Sequence, residues 1–254
     1  MVRFTKIILF FLISISTFQA QAKNPPPGTG TSDIPANILI MLDNSGSMSA
    51  SIGSSALIYG PIDVSTDSSG NVYVLEYSYN RIKVFNSSGT YIRSIGSYGY
   101  GCNQWRNARQ FVINNDEIYI ADYFNNRIKV LSLTGNCKRT SGHPGNQLVQ
   151  SLAVNNNYVF VGFNSGGSIG VYDKNRLNLL YWNLLRMDTW GMSMNSSGTR
   201  LTLANINLQK ISEFSVSGVR LNLLRSAGSS YSSSNGYFRW PRDTGYDSSG
   251  NIYA

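Results

Sequence analysis

A short segment that recurs at a fixed distance constrains the fold more than any other feature of this sequence. Asn80-Arg81-Ile82-Lys83-Val84 returns 46 residues later as Asn126-Arg127-Ile128-Lys129-Val130. The preceding Val72-Tyr73-Val74 returns as Ile118-Tyr119-Ile120 with the same offset, and weaker copies follow at Val159-Phe160-Val161 and Leu201-Thr202-Leu203. A repeat of this length indicates a series of similar units that bury their apolar faces against each other.

Each unit is predicted to contain four short antiparallel strands. Turn formers such as Ser68-Ser69-Gly70-Asn71 and Asn195-Ser196-Ser197-Gly198 separate the apolar segments, and Gly provides the positive φ that tight turns need. In the first unit the predicted strands are Ile62–Thr66, Asn71–Tyr77, Arg81–Asn86 and Thr90–Ile95. Four strands in a period of about 40 to 46 residues are typical of the blades of a β-propeller.

The sequence therefore predicts an all-β propeller over residues 59–254, with about four and a half blades. The predicted blades are 59–98, 104–143, 147–186, 188–228 and a partial blade at 238–254. The last residues, Asp247 to Ala254, match Asp67 to Val74 and then stop. Because a blade that ends after two strands leaves backbone groups unpaired, we expect the sequence to be a fragment of a longer, six-bladed protein.

The units resemble NHL repeats. The resemblance rests on the turn Asp67-Ser68-Ser69-Gly70-Asn71, on an acidic residue that ends the second strand (Glu76, Asp122), and on Asn-Arg-Ile before the third strand. Glu76 with Arg81 and Asp122 with Arg127 repeat at equivalent positions, which favours structural ion pairs across the loop between these strands; the alternative is that they contact a ligand. Later units depart from the pattern: Phe163 and Ser168 occupy the two positions in the third unit, and Asn205 and Lys210 occupy them in the fourth.

Residues 1–22 have the features of a secretory signal peptide, with Arg3 and Lys6 before an apolar stretch and Ala20-Gln21-Ala22 at the cleavage site. We expect a secreted, periplasmic or cell-surface protein. Residues 23–36 read as a Pro/Gly-rich linker. No later apolar run reaches the length of about 18 residues that a membrane-spanning helix requires, so no transmembrane segment is predicted.

Residues 37–51 resemble the start of a von Willebrand factor A domain. An apolar strand, Asn37–Leu42, is followed by Asp43-Asn44-Ser45-Gly46-Ser47. In that family the loop after the first strand forms a metal-ion-dependent adhesion site, and the resemblance implies Asp43, Ser45 and Ser47 as ligands of Mg²⁺ or Ca²⁺ in an incomplete site. The rest of that α/β domain is expected beyond residue 254, with the propeller inserted, an arrangement similar to bacterial type IV pilus tip adhesins. The alternative is a polar Ser/Gly turn.

Composition argues against two classes of function. The net charge is +8, but the charges are scattered rather than clustered, which makes nucleic-acid binding an unfavoured interpretation. His143 is the only histidine and lies in a Gly/Pro-rich turn, whereas propeller lyases and lactonases build metal sites from several histidines and acids. No catalytic residue is therefore assigned, and no enzyme is predicted. The alternative is a hydrolase or lyase whose active site lies in another part of the protein.

The remaining candidates concern binding and crosslinking. Tyr77, Tyr79, Tyr123 and Phe124 fall in predicted loops and are candidates for a surface that binds a protein or glycan partner. A disulfide between Cys102 and Cys137 can persist in an exported protein, but the sequence leaves open whether the two positions are close enough to bond. It also leaves open the oligomeric state.

Overall fold

The computed structural model describes residues 58–142, 147–164, 167–185, 187–228 and 238–254. Over these residues the chain forms four four-stranded antiparallel sheets and two two-stranded sheets, with a single 3₁₀ turn at Tyr123–Asn125 and no α-helix. Neighbouring strands in each large sheet are also neighbours along the chain. The predicted all-β propeller with about four complete blades is confirmed.

The strands divide among the blades as follows. Blade 1 contains β1 (Pro61–Thr66), β2 (Val72–Glu76), β3 (Arg81–Phe85) and β4 (Tyr91–Ile95), and a short parallel pair follows, β5 (Ser97–Tyr98) and β6 (Gln104–Trp105). Blade 2 contains β7 (Phe111–Asn114), β8 (Glu117–Asp122), β9 (Arg127–Ser132) and β10 (Cys137–Gly142). Blade 3 contains β11 (Val149–Val154), β12 (Tyr158–Phe163), β13 (Ser168–Asp173) and β14 (Leu179–Leu184). Blade 4 contains β15 (Gly191–Met194), β16 (Arg200–Asn205), β17 (Lys210–Ser217) and β18 (Arg220–Ala227), and the fifth unit contains β19 (Gly245–Tyr246) and β20 (Ile252–Tyr253).

Alternating side chains on the second strands join each blade to both of its neighbours. On β8, Ile118 and Ile120 pack into a buried cluster with Tyr73 and Leu75 of blade 1. Tyr119, which lies between them in sequence, packs into a different cluster with blade 3. Because side chains of a strand point alternately to the two faces of its sheet, the apolar middle of each of these strands is buried on both faces.

The residue before the third strand of each blade has a positive φ, which explains why it is often Asn. Asn80, Asn126 and Gln209 have φ of 51°, 51° and 54°, and Gly167 has φ of 57°. Asn and Gly tolerate this left-handed region better than most residues do. The Asn of the repeated Asn-Arg-Ile motif thus supplies the corner between β2 and β3, and later blades keep the corner after the motif is lost.

The fifth unit repeats the turn chemistry of the first. Asp67 Oδ1 accepts hydrogen bonds from the backbone N–H groups of Ser69 at 3.0 Å and Asn71 at 2.9 Å. Asp247 does the same for Ser249 at 2.9 Å and Asn251 at 2.8 Å. These matching geometries support the assignment of residues 238–254 to a further repeat.

Several predictions fall on residues that the structure does not describe. The signal segment 1–22, the linker 23–36, the adhesion-site segment 37–51 and His143 all lie outside the described residues. Within the described part of the chain, no helix is long and apolar enough to cross a membrane.

Candidate functional site

The first strands of the blades meet at the propeller axis. β1 contacts β7, β7 contacts β11, β11 contacts β15, and β15 contacts β19. In each blade the start of the first strand lies at the same end as the loop between the second and third strands, because the two strands pair antiparallel; Pro61, for example, pairs with Glu76. We call this end the loop face and the opposite end, with the β1–β2 type turns, the turn face.

Two cavities occupy the axis. The one toward the loop face has a volume of about 620 Å³, and the one toward the turn face about 310 Å³. Asp63, Val64, Gln110 and Asp243 line both, so they lie between the two cavities. The loop-face cavity is completed by a set that includes two arginines: Pro61, Ile62, Arg109, Gln150, Trp190, Gly191 and Arg242.

Hydrogen bonds connect the blades around this axis. Asp63 Oδ2 accepts one from the backbone N–H of Phe111 at 2.7 Å, and Gln110 Oε1 accepts one from the backbone N–H of Leu152 at 2.8 Å. Gln110 Nε2 donates to the Met192 carbonyl at 3.0 Å and to Asp243 Oδ1 at 3.3 Å. Polar side chains of the first strands therefore fix the position of each blade relative to the next.

The two carboxyl groups at the centre have raised pKa values. Burial raises the pKa of Asp63 well above its usual value, the nearby Asp243 raises it further, and hydrogen bonds from Phe111 and Val64 oppose this shift. Desolvation raises the pKa of Asp243 to about 6, against a hydrogen bond from the Thr244 backbone N–H. The Asp243 side chain retains contact with solvent while Asp63 is only 8% exposed, so the desolvation of Asp63 is the more complete of the two.

Arginines stacked on aromatic rings surround the loop-face cavity. The Arg109 guanidinium lies 5.0 Å from the ring centroid of Tyr77 and 4.7 Å from that of Tyr123. The Arg242 guanidinium lies 4.8 Å from the ring centroid of Trp190. Stacking of this kind holds a guanidinium in place without consuming its hydrogen-bond donors.

The ion pairs predicted from the repeated positions lie at the loop face, away from the axis. Glu76 is fully buried and bonds to Arg81, with Lys83 Nζ at 3.4 Å and the Tyr59 backbone N–H at 2.6 Å. Asp122, equally buried, contacts Arg127 Nε at 2.6 Å. Each pair closes the loop between the second and third strands of its blade, which is a structural role.

The later units hold this loop differently. Asn205 and Lys210 are paired across β16 and β17, the register position that Glu76 and Arg81 hold in blade 1. Asn205 Oδ1 accepts a hydrogen bond from the backbone N–H of Leu208 at 2.8 Å. A neutral side chain thus closes this loop from within where blades 1 and 2 use an ion pair.

The structure joins Cys102 and Cys137 in a disulfide with Cα atoms 5.5 Å apart. Cys102 lies between β5 and β6, and Cys137 begins β10. Lys129 Nζ donates to the Cys102 carbonyl at 2.6 Å beside the bridge. The connection from blade 1 to blade 2 is therefore fastened to the outer strand of blade 2.

The four aromatic residues proposed from the sequence all lie at the loop face, in the loops after β2 and β8. Tyr79 and Phe124 are exposed, at 51% and 48%, while Tyr123 is buried and Tyr77 half-buried. Tyr77 and Tyr123 thus serve to position Arg109, and Tyr79 and Phe124 are available to a partner. Among the described residues no group of three or more His, Cys, Asp or Glu side chains could hold a metal ion, and Asp43, Ser45 and Ser47 lie outside that part of the chain.

Sequence reasoning missed the residues of the axis itself: Asp63, Arg109, Gln110, Gln150, Trp190, Arg242 and Asp243. One signal for part of this set is present. Pro61-Ile62-Asp63 precedes the first Asp-Ser-Ser-Gly-Asn turn at the same distance as Pro241-Arg242-Asp243 precedes the last. Aligning the repeats on this turn would have placed both carboxylates at equivalent positions of their first strands.

Comparison with solved structures gives propellers of low sequence identity. A candidate 6-phosphogluconolactonase from Bacteroides uniformis aligns with a TM-score of 0.54 and 13% identity, over 68% of this chain and 58% of that one. A streptogramin B lyase aligns with a TM-score of 0.53 and 15% identity, over 66% and 55%. A protein from Lactobacillus plantarum aligns with a TM-score of 0.52 and 12% identity, over 67% and 56%. The chain thus spans less than two thirds of the length of these propellers, and the likeness concerns the fold alone.

No curated protein matches the sequence, but a family model does. Residues 55–215 match the model of DUF5128, a family described as 6-bladed beta-propeller. This stretch begins just before β1 and ends within β17, so it spans the first three blades and most of the fourth. The chain belongs to this family of six-bladed β-propellers.

Proposed function

We propose that the protein is a secreted or cell-surface binding scaffold whose loop face binds a protein or glycan partner. The observation that carries this proposal is the set of arginine–aromatic stacks at that face. Besides Arg109 and Arg242, Arg106 lies 5.4 Å from the ring centroid of Tyr98 and 5.2 Å from that of Tyr100. Arginine, tyrosine and tryptophan are the residues most enriched where interfaces derive their binding energy.

Exposure of the aromatic side chains supports the same face. Tyr98 and Tyr100 are 59% and 65% exposed and lie on the connection that the disulfide fastens. Gly99, between them, accepts a hydrogen bond from Asn125 Nδ2 at 2.9 Å, so this connection lies beside the loop that contains Phe124. Large exposed aromatic side chains cost solvation free energy unless a partner covers them. Rigid loops that present such side chains bind with little loss of conformational entropy.

A test compares loop-face variants with a control on the outer edge of the propeller. Tyr79→Ala combined with Phe124→Ala should lower binding to carbohydrate arrays, or to purified surface proteins of the producing cells, by about tenfold or more. Leu223→Ala removes an apolar side chain that is 54% exposed on the outer strand β18 and should leave binding unchanged. Equal binding by the double variant and the unsubstituted protein would refute the proposal.

The alternative is a propeller-type hydrolase or lyase that acts in the channel. Two observations favour it as the second candidate. Asp63 and Asp243 have raised pKa values, which suits proton transfer near neutral pH. Solved propellers that share the fold include a candidate lactonase and a lyase. Turnover of lactone or glycan substrates that Asp243→Asn abolishes would favour this reading over the scaffold.

Two further proposals concern the family detail and the N-terminal segment. We infer that the blades are of the NHL type, since blades 1 and 2 both place Asn-Arg-Ile at the β2–β3 corner with the arginine paired to a buried acid. We also propose that Asp43, Ser45 and Ser47 bind a divalent cation. This proposal rests on the resemblance of residues 37–51 to a von Willebrand factor A domain.

A further inference from the structure

We infer that the loop-face cavity binds a sugar acid, such as the uronic acid residue of an acidic glycan, with its carboxylate at Arg109 and Arg242 and its hydroxyl groups toward Gln150 and Asp243. This inference rests on the proposed binding function and specifies its ligand. A volume of about 620 Å³ is within the range of small-molecule sites.

The positive charge of the cavity is available to a ligand. Neither Arg109 nor Arg242 forms a salt bridge with a described residue, and each is held by aromatic rings instead. Arg109 lines the cavity and is half-buried. Guanidinium groups bind carboxylates with two parallel hydrogen bonds.

A second polar group without a partner faces the same cavity. Gln150 is only 3% exposed and lines the cavity, yet its side-chain amide makes no hydrogen bond to a described residue. Both polar atoms of this amide keep some solvent-accessible surface, and that surface opens into the cavity. A buried amide in this position is suited to a hydroxyl group, which can both donate to and accept from it.

Asp243 provides the acceptor for further hydroxyl groups. Its Oδ1 accepts from Gln110 Nε2 and from the Thr244 backbone N–H, while its Oδ2 accepts from no described residue. Gly191 allows this carboxylate to lie against the first strand of blade 4, because a Cβ there would come within 2.4 Å of Asp243 Oδ1. Asp63 lines the cavity as well, but both of its oxygens already accept backbone hydrogen bonds, from Val64 and Phe111. The cavity thus combines two cations with a free acceptor on Asp243 and one amide.

This combination selects among small ligands. A simple anion would pair with the arginines but would be repelled by Asp243, and a neutral sugar would leave both guanidinium groups without a counter-charge. A molecule with one carboxylate and several hydroxyl groups meets both requirements. Trp190 adds an aromatic surface of the kind that packs against the C–H face of a sugar ring.

Isothermal titration calorimetry of the full chain tests the inference. The probes are galacturonate and trigalacturonate, with galactose and methyl galacturonate as neutral analogues. We expect the acids to bind, with at least about tenfold weaker binding for the neutral analogues and for the Arg109→Gln and Arg242→Gln variants. The matched control is Arg220→Gln: Arg220 stacks on Tyr181 at 5.1 Å on the outer strands, outside the cavity, and its loss should change nothing.

The binding results are compared only among variants that are folded. Arg242 lies exposed at the rim, so we expect Arg242→Gln to keep the fold. Thermal melting checks that both Arg242→Gln and Arg109→Gln are folded. The inference is wrong if methyl galacturonate binds as tightly as the acid, if no uronate binds, or if Arg220→Gln weakens binding as much as Arg242→Gln. Should uronates fail to bind while Tyr79→Ala with Phe124→Ala still abolishes partner binding, only the ligand class is wrong; should both assays fail, the scaffold proposal fails as well.

Discussion

Asp122 and Arg127 form an ion pair of 2.6 Å across the corner between the second and third strands of blade 2, and the Asp122 side chain is fully buried. The same carboxylate accepts hydrogen bonds from the backbone N–H of Arg106 at 2.8 Å and from Asn125 Nδ2 at 2.9 Å. One buried acid therefore holds three segments of the loop face together. Glu76 has the corresponding role in blade 1, where it joins Arg81 to the backbone of Tyr59.

Asp122→Ala is expected to lower the free energy of unfolding by about 3–5 kcal/mol, because it leaves a partly buried guanidinium and a backbone N–H without their acceptor. Urea unfolding followed by circular dichroism measures the change. Lys138→Ala removes the exposed partner of a 3.0 Å ion pair with Glu117 and should cost less than about 1 kcal/mol. A similar loss in the two variants would contradict the structural role of Asp122.

Replacing Cys102 and Cys137 together by serine should lower the free energy of unfolding by about 2–4 kcal/mol, because the bridge closes a loop across a sequence separation of 35 residues. The reducing agent dithiothreitol should lower the melting temperature of the unsubstituted protein to about that of the serine variant. It should leave the serine variant unaffected, and a reagent effect on that variant would show that the disulfide is not the cause.

Asp243→Asn should stabilise the protein at pH 7.5 more than at pH 4.5. The pKa of Asp243 is raised in the folded state, to about 6, so the folded state binds this proton more tightly than the unfolded state does. Stability therefore falls as pH rises from about 4 through 6, because Asp243 loses its proton close to the Asp63 carboxyl group despite Arg109 and Arg242 in the same cavity. Melting temperatures across this pH range measure the effect, and a flat difference between variant and unsubstituted protein would disprove it.

Gly96→Ala should be more damaging than Gly218→Ala. Both glycines have positive φ, +90° and +58°, so both substitutions strain the backbone. At Gly96 the new Cβ would also come within 1.9 Å of the fully buried Trp105 ring, while at Gly218 nothing lies within 4 Å. Thermal melting should show an additional loss at Gly96 of about 1–3 kcal/mol or more, and equal losses would mean that the ring moves aside freely.

Asp43→Ala should abolish binding of Mg²⁺ or Ca²⁺ to the full chain if the segment 37–51 forms the adhesion-type site that its sequence resembles. Calorimetry with each metal chloride measures this directly. Asp67→Ala is the matched control, because that acid is committed to a backbone turn in blade 1. Retained metal binding by Asp43→Ala would assign the segment to an ordinary polar turn.

The fold could be predicted because short-range sequence patterns recur along the chain. Alternating apolar residues and turn formers recur through the blades, Asn-Arg-Ile recurs in the first two, and the strands predicted for blade 1 agree with β1–β4 to within one residue. Trp105 was not foreseen, because it lies in the connection between blades 1 and 2, outside the four strands of either blade. The cavity was not foreseen either: Arg109, Gln150 and Arg242 are far apart in sequence, and only closure of the first strands around the axis brings them together.

The alternation of side chains on the central strands has a thermodynamic consequence. Since Ile118 and Ile120 belong to one buried cluster and Tyr119 to the next, no single sheet contains a complete core of its own. Cooperativity must then arise largely at the junctions between sheets. A defect at one junction will loosen the two sheets that share it, and it will reach more distant sheets through the junctions between and through Gln110, which bonds to blade 4 and to the fifth unit across the axis.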